Sequence, residues 1–223
     1  MGVVCWATMT RTFLRARRPE HKQQRREAIL SAARELAAAS GVRNVSLGAV
    51  AEAVGLAKSN VVRYFGTREE IYLVLASEEW QRWADAVTDR LRTARDTAGA
   101  VAALADTIID QPLFCDLLSH LSTSLEHNVS VSAAREFKVT ALRTVAGLGA
   151  QVGRATGLTD TEGAELVSAA AGLAGMLYPA ANPPPTLAEV YAQDPELAAH
   201  CPQLRPSLVR ALMALAAGLP TLR

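Results

Sequence analysis

The organisation of this chain is clearest in residues 46–71, which read SLGAVAEAVGLAKSNVVRYFGTREEI. Counted from Leu47, the fifth residue is the small Ala51 and the ninth is Gly55. Two short helices that cross near a right angle need a small residue where they meet, and a glycine at the turn because its φ is positive. An ordinary helical hairpin uses similar turns, but the basic residues around this stretch favour a helix-turn-helix. The apolar inner positions agree with it and are Val50, Val54, Leu56 and Val61.

Helical patterns continue on both sides of this stretch. Upstream, apolar residues recur at helical spacing from Arg25 and stop at Gly41, which is typical of a helix end. Downstream, Thr67 and Glu70 form a T-x-x-E capping box, the signature of a helix start. The helix that it opens keeps one apolar face as far as Leu91. The sequence therefore predicts a three-helix domain that is joined directly to a long fourth helix.

The rest of the chain also predicts helices, and T-x-x-E boxes at Thr159 and Thr186 mark two of their starts. No segment alternates apolar and polar residues as a half-buried strand does. We therefore predict an all-α fold with an N-terminal three-helix helix-turn-helix domain and a larger C-terminal helical domain. The expected parts are a flexible basic arm (1–24), the helix-turn-helix domain (25–75) and the larger domain (76–223), with later helices near 99–110, 112–126, 130–154, 160–178, 186–192 and 204–217.

Charge is distributed unevenly along the chain. Residues 1–68 contain 12 lysines and arginines against 4 acidic residues, whereas residues 69–223 contain 11 against 18. A basic head on an acidic body indicates a polyanion-binding N-terminal part joined to a module with another task. Basic N-terminal tails without a specific partner also exist, and the motif of residues 46–71 favours the first interpretation.

The 46–71 stretch resembles the DNA-binding domain of the tetracycline-repressor (TetR) family. Its most specific part is YFGTRE, residues 64–69, which is similar to the segment that joins the family's recognition helix to its long fourth helix. The resemblance covers roughly residues 25–75. Beyond that range it extends only to chain length and all-helical character.

This resemblance implies a homodimer that binds double-stranded DNA. Each subunit would place its third helix in one of two successive major grooves of a near-palindromic operator, roughly 34–36 Å apart. The larger domain would bind a small-molecule effector and would dimerise through its last two long helices. Residues 76–223 are thus expected to be the ligand-binding and dimerisation domain.

The second helix of the motif carries side chains that suit DNA. Asn60 and Arg63 are of the types that make bidentate contacts with adenine and guanine edges, and lysine, serine and tyrosine more often hold phosphates. The resemblance adds a hydroxyl, an aromatic and a basic position that contact the DNA backbone. Val62 departs from the family, because it stands where many members carry an aromatic, and we expect only an apolar contact from it. The predicted DNA-binding residues are Ser46, Lys58, Ser59, Asn60, Val62, Arg63, Tyr64 and Arg68.

The effector pocket and the dimer contact have weaker signals. Effector pockets are mostly apolar, so their lining residues equally suit an ordinary core. The small residues of 163–178 and the leucines of 204–217 suit a dimer contact, and they equally suit packing within one chain. The predicted pocket residues are Trp80, Trp83, Phe114, Leu118, Leu121, Phe137, Leu142 and Met176.

Other classes of protein have little support. The three cysteines contain no CxxC and suit a reducing cytoplasm. The longest uncharged run, 166–185, contains prolines and is rich in alanine and glycine, which is weak for membrane insertion. His120 and His127 are too far apart for a helical zinc pair, and no nucleophile or phosphate-loop motif occurs. We expect a cytoplasmic protein with no catalytic activity, metal, cofactor or membrane contact.

Two functions stay open at this point. One is a ligand-responsive DNA-binding regulator, most simply a repressor, and the other is a helical binding protein whose motif no longer binds DNA. Lys58, Asn60 and Arg63 favour the first, since no acidic residue stands among them to repel phosphates. In the expected mechanism, the effector moves the helix that begins at Thr67 and changes the spacing of the two recognition helices.

Overall fold

The computed structural model describes the backbone of residues 9–223 and the side chains of residues 20–223. Within that range the chain forms helices and no strand, which confirms the all-α prediction. A 3-10 turn lies at Val42–Asn44, a π turn at Leu121–Leu125 and a final 3-10 turn at Leu219–Leu222. The helices are α1 (Met9–Ser40), α2 (Leu47–Ala53), α3 (Lys58–Phe65), α4 (Arg68–Leu91), α5 (Thr97–Ile109), α6 (Pro112–His120), α7 (Val131–Thr156), α8 (Asp160–Ala181), α9 (Pro185–Gln193), α10 (Pro195–Ala199) and α11 (Leu204–Gly218).

Helices α1–α3 form a small domain, called the head below, and contain the predicted helix-turn-helix. The hydroxyl of Ser46 accepts a hydrogen bond from the Ala49 amide at 3.1 Å and so caps α2. Gly55 takes a φ of +64° at the turn. Ala51 and Val61 are buried where α2 and α3 cross. The head is therefore built as the spacing of its residues predicts.

Helix α1 starts earlier than its apolar period indicates. It begins at Met9, so much of the segment expected to be a flexible arm is helical, while residues 1–8 lie outside the described residues. The apolar period starts only near Arg25 because it reports burial, and from Ile29 onward α1 packs into the core. In residues 20–28, where every side chain except that of Arg26 is exposed, arginine, glutamine and lysine favour a helix without burial.

Helix α4 joins the head to the remaining helices, α5–α11, which are called the body below. The hydroxyl of Thr67 caps α4 by accepting from the Glu70 amide at 3.2 Å. The carboxylate of Glu70 does not return to Thr67, as the predicted capping box requires, but accepts from the Ser130 amide at 2.8 Å. Farther along α4, Trp80 stacks edge-on against Phe114 of α6, with ring centroids 5.3 Å apart. Both ends of α4 therefore contact the body.

The body is centred on a close crossing of α7 and α8. A side-chain carbon at Gly163 would lie 2.1 Å from the carbonyl oxygen of Gly149, so only glycine fits there. A side-chain carbon at Gly175 would lie 3.0 Å from the backbone of Leu118 on α6. The buried small residues of α8 thus serve packing within the chain, as do the buried Leu208 and Leu212 of α11, whereas Gly172 is exposed. Of the two interpretations that the sequence left open, these residues follow the intramolecular one.

Two further features of α8 and α9 bear on the predictions. The capping box of α8 is complete, with Thr159 and Glu162 bonded in both directions. The box expected at Thr186 is not formed, because α9 starts at Pro185 with Pro184 as its N-cap and no side-chain cap.

By length and composition α8 could cross a membrane (mean hydropathy 1.2). Its buried face, however, packs against α6, α7 and α11, as that of a core helix does.

Candidate DNA-binding face and effector pocket

Helix α3 separates its apolar and polar side chains onto two faces. Val61 and Phe65 are buried and hold the helix on the head. On the other face, the predicted residues Lys58, Ser59, Asn60, Val62 and Arg63 are all exposed, and Val62 is 41% exposed although it is apolar. No acidic residue lies on α3. The structure therefore brings five of the predicted side chains together on one accessible face of a rigidly seated helix.

The remaining predicted DNA contacts lie at the margins of this face. Ser46 is exposed at the start of α2, where its oxygen already accepts the capping hydrogen bond. Its hydroxyl proton is still free to donate, which a phosphate contact requires. Tyr64 is half-buried at the end of α3.

Arg68, predicted to contact the DNA backbone, also makes contacts within the protein. Its guanidinium donates to the carbonyl oxygens of Val42 and Val45, pairs with Glu69 at 3.1 Å and lies 4.8 Å from the ring centroid of Tyr72. Only 18% of the side chain is exposed. These contacts engage three of the five guanidinium N–H groups within the protein. Arg68 thus fastens the start of α4 to the turn between α1 and α2, which local sequence spacing does not reveal.

A cleft of about 380 Å³ lies between α1 and α3. Sequence reasoning missed it, because residues 1–24 were expected to be flexible. Arg26 helps to fix its shape, since the guanidinium lies 4.9 Å from the ring centroid of Phe65 on α3. The residues that line the cleft are Lys22, Arg25, Leu56, Asn60, Arg63 and Tyr64.

The body contains a pocket of about 320 Å³ between α4, the end of α6, α7 and α8. Five of the predicted residues line it, namely Trp80, Leu118, Leu121, Phe137 and Leu142. Trp83 and Phe114 do not, because both are fully buried in the aromatic cluster behind Trp80. Met176 does not either, and its side chain is 62% exposed. The remaining lining residues, which the prediction lacked, are Ser122, Glu126, Lys138, Ala141, Val145, Ser168, Ala171 and Gly172.

The two charged residues that line this pocket form an ion pair. The Nζ of Lys138 lies 2.7 Å from an Oε1 of Glu126 and 5.7 Å from the ring centroid of Phe137. Lys138 belongs to α7, whereas Glu126 directly follows the π turn. The pair therefore links two walls of the pocket.

A connecting segment, residues 112–130, touches both the pocket and the head. Its first part contacts the head through Asp116, whose carboxylate accepts from the Val42 amide at 2.7 Å. Its last part contacts the start of α4, where the Thr67 hydroxyl donates to the Asn128 carbonyl at 2.8 Å and the Asn128 amide group donates to Glu69 at 3.3 Å. Between these contacts lie the pocket residues of the π turn. A change in pocket shape can thus reach the head through hydrogen bonds.

Buried titratable groups lie mainly beside this segment. Burial raises the pKa of the Tyr72 phenol and of the Cys115 thiol to about 12 each. Burial also raises the pKa of Glu79, although Arg82 and Arg34 act in the opposite direction. His120 contacts Asp116 at 3.5 Å, and His127 contacts the Ser122 carbonyl at 3.1 Å. Among the residues whose side chains are described, no three His, Cys, Asp or Glu residues are grouped as a metal site requires.

Two family models match the chain and together span nearly all of the head, α4 and the body. Residues 29–75 match the model described as "Bacterial regulatory proteins, tetR family". Residues 77–223 match the model described as "Tetracyclin repressor-like, C-terminal domain". No curated protein sequence matches the chain.

Solved structures share the fold at low sequence identity. FadR of Thermus thermophilus, a TetR-family repressor solved with lauroyl-CoA, has a TM-score of 0.57 and 16% identity, over 86% of this chain and 93% of that one. The fatty acid degradation regulator FadR of Bacillus halodurans has a TM-score of 0.51 and 15% identity, over 86% and 97%. RolR, solved with resorcinol, has a TM-score of 0.51 and 18% identity, over 72% and 82%.

Proposed function

The chain belongs to the tetracycline-repressor family of bacterial regulatory proteins, and from that premise we propose that it represses transcription from a near-palindromic operator until a small molecule releases it. The observation that carries the proposal is the exposed face of α3. It presents Lys58, Asn60 and Arg63 without an acidic neighbour on that helix, while its apolar face is fixed on the head. Such a helix can enter a major groove without repelling phosphates.

The proposal includes a homodimer, because two recognition helices are needed to read a near-palindrome. Members of the family act as dimers, and half-sites about one helical turn apart set the required spacing of the two heads. We place the dimer contact on exposed parts of α8 and α11, where the side chains of Met176 and Leu215 are 62% and 38% exposed. The same proposal assigns the protein to the cytoplasm and gives it no catalytic role.

Release of DNA is proposed to run through the connecting segment. An effector in the pocket would press on the π turn and on the Glu126–Lys138 pair. Because Asn128 lies two residues after Glu126 and is bonded to Thr67 and Glu69, that movement would shift the start of α4. The head is fastened to the same point by Arg68, so it would turn with α4 and the two recognition helices would lose operator spacing.

The pocket suits a small, mainly apolar molecule. Its volume of about 320 Å³ lies at the lower end of ordinary ligand sites. The FadR of Thermus thermophilus was solved with lauroyl-CoA and RolR with resorcinol. Resorcinol, a small aromatic compound, is therefore a reasonable first probe for this chain, whereas lauroyl-CoA is much larger than the pocket.

The test is selection of bound sequences from random DNA with the full chain at near-physiological salt. We expect one enriched near-palindrome with half-sites about ten base pairs apart. The Asn60→Ala variant should lose preference at one base pair of each half-site, by about 1–3 kcal/mol, if Asn60 reads a base. Recovery of no motif, together with binding that vanishes as salt rises, would refute the repressor and favour a binding protein that has lost its operator.

A further inference from the structure

Three cations meet in the cleft between α1 and α3. Lys22 and Arg25 approach from α1, and Arg63 approaches from α3. The other residues that line the cleft are neutral, so no carboxylate is present among them. All three cations are exposed, and in the described part of the chain none of them forms a salt bridge.

Such an arrangement attracts an anion. Like charges that converge on one space repel one another, whereas an anion between them receives several charge-assisted hydrogen bonds. Asn60 and Tyr64 add neutral donors at the same cleft. The set of donors therefore matches a phosphate oxygen better than it matches a base edge, which needs a bidentate pair in one plane.

The cleft is also held in shape before any ligand binds. Arg26 lies over the Phe65 ring and fixes α1 on α3, and the Gln23 side chain bonds to Glu27 one turn later at 2.8 Å. A prearranged site loses less conformational freedom on binding than a flexible arm does.

We infer that this cleft binds a phosphate of the operator backbone, so that α1 holds the DNA strand beside the groove that α3 enters. The inference rests on the proposed function. It gives Arg63 a backbone role in place of a guanine contact, and it makes part of the segment expected to be a flexible arm into a fixed contact. Lys22 and Arg25 both precede residue 29, where the match to the family model begins, so the contact is an addition to the region that the model describes.

The experiment compares the salt dependence of operator binding between full-length variants. K22Q/R25Q removes the two α1 charges, and R95Q/R154Q, which changes two exposed arginines outside the head, is the matched control. K22Q/R25Q should lose one phosphate contact per subunit, or two per dimer. The slope of log affinity against log salt concentration should therefore be shallower by about 1.8 in this variant. The control should keep the slope of the unaltered protein, and both variants should select the same sequence as that protein.

Several outcomes would overturn the inference. An unchanged slope in K22Q/R25Q would remove the phosphate contact, and a changed operator sequence would mean that the cleft reads bases. Inorganic phosphate is the separate probe, titrated without DNA and followed by NMR. If it saturates the cleft while the operator slope is unaffected by K22Q/R25Q, the cleft is a free-anion site. Failure of the unaltered protein to select any sequence would instead refute the proposed function, so the two failures are distinguishable.

Discussion

The head and the body hold their helices in place by different kinds of contact. In the head, polar contacts add to a small buried core: the Ser46 cap, the Arg68 hydrogen bonds to two carbonyls, and the Arg26 guanidinium over Phe65. In the body, the glycine crossing of α7 and α8 and the aromatic cluster around Trp80 dominate. A polar contact can be lost alone, whereas closely packed side chains must rearrange together. Single substitutions should therefore act more separately in the head than in the body.

The largest effect is expected at the crossing in the body. Gly163→Ala would bring a methyl group to 2.1 Å from the Gly149 carbonyl oxygen and should lower the free energy of unfolding by about 3 kcal/mol. Gly147→Ala is the control, because nothing lies within 4 Å of that exposed position on α7 and alanine favours a helix by about 0.5–1 kcal/mol. Urea unfolding followed by circular dichroism measures both. Equal effects at the two positions would mean that the body is not closely packed here.

The next effect is expected at the polar contact of the head. Arg68→Ala removes the guanidinium donor from the Val42 and Val45 carbonyls, of which Val42 keeps only the 3.5 Å bond from the Val45 amide, and should cost about 2 kcal/mol of stability. Arg68→Lys should not restore it, since one ammonium group cannot take the place of the planar guanidinium. Lys58→Ala, by contrast, should weaken operator binding at unchanged stability. If Arg68→Ala lost DNA affinity with the unfolding midpoint unaltered, the phosphate contact first expected for Arg68 would be right.

Coupling between the two regions should depend on Asn128. Gly172→Phe places a ring at the pocket, with nothing within 4 Å of its first side-chain atom, and should mimic an effector by lowering operator affinity. Adding Asn128→Ala should remove about 1 kcal/mol of that loss, because the bond to Glu69 is gone. Thr123→Ala, an exposed change on the π turn, is the control. Operator affinity of the four proteins gives the answer. Full coupling in the Asn128→Ala background would exclude the Asn128–Glu69 bond as a contributor and leave the bond from Thr67 to the Asn128 backbone carbonyl as the route.

The smallest effect concerns acid stability of the body. Hydrogen bonds from Arg223 and from the Thr159 backbone lower the pKa of Glu162 from 4.5 to about 2. A lowered pKa in the folded state stabilises the protein above the unfolded value, so this contribution should be lost as pH falls from about 4.5 towards 2. Arg223→Ala should raise the pKa of Glu162 in the folded protein, so that the loss of stability is complete at a higher pH. The test is the midpoint of urea unfolding measured as a function of pH, with Glu162→Gln as the reference variant. Identical pH dependence in Glu162→Gln and in the unaltered protein would contradict the prediction.

The sequence predicted best those features that depend on near neighbours in the chain. Ala51 and Gly55 stand at fixed offsets within one motif, and the capping box of Thr159 and Glu162 spans three residues, so each can be recognised locally. Arg68 could not be assigned in this way, since its acceptor carbonyls belong to a turn more than twenty residues upstream.

The pocket residues show the same limit of prediction from near neighbours in the sequence. Apolar spacing identifies residues that avoid water but does not tell a pocket wall from the core behind it. Leu142 lines the pocket, while Phe114 lies in the core and Met176 faces outward. The Glu126–Lys138 pair was missed because its members are twelve residues apart on different elements. The basic cleft was missed because the exposed early part of α1 has no apolar period.

The π turn at Leu121–Leu125 has a consequence for how this protein can change over generations. A π turn holds one residue more than the α turn that it replaces. Deletion of a single codon there would convert the turn into ordinary helix and rotate all that follows by about 100° relative to α6. The hydrogen bond from Thr67 to the Asn128 carbonyl would then be lost, although the sequences of the recognition helix and of the pocket walls would be unchanged. Such a deletion would therefore cut the hydrogen-bonded route by which we propose that an effector releases DNA.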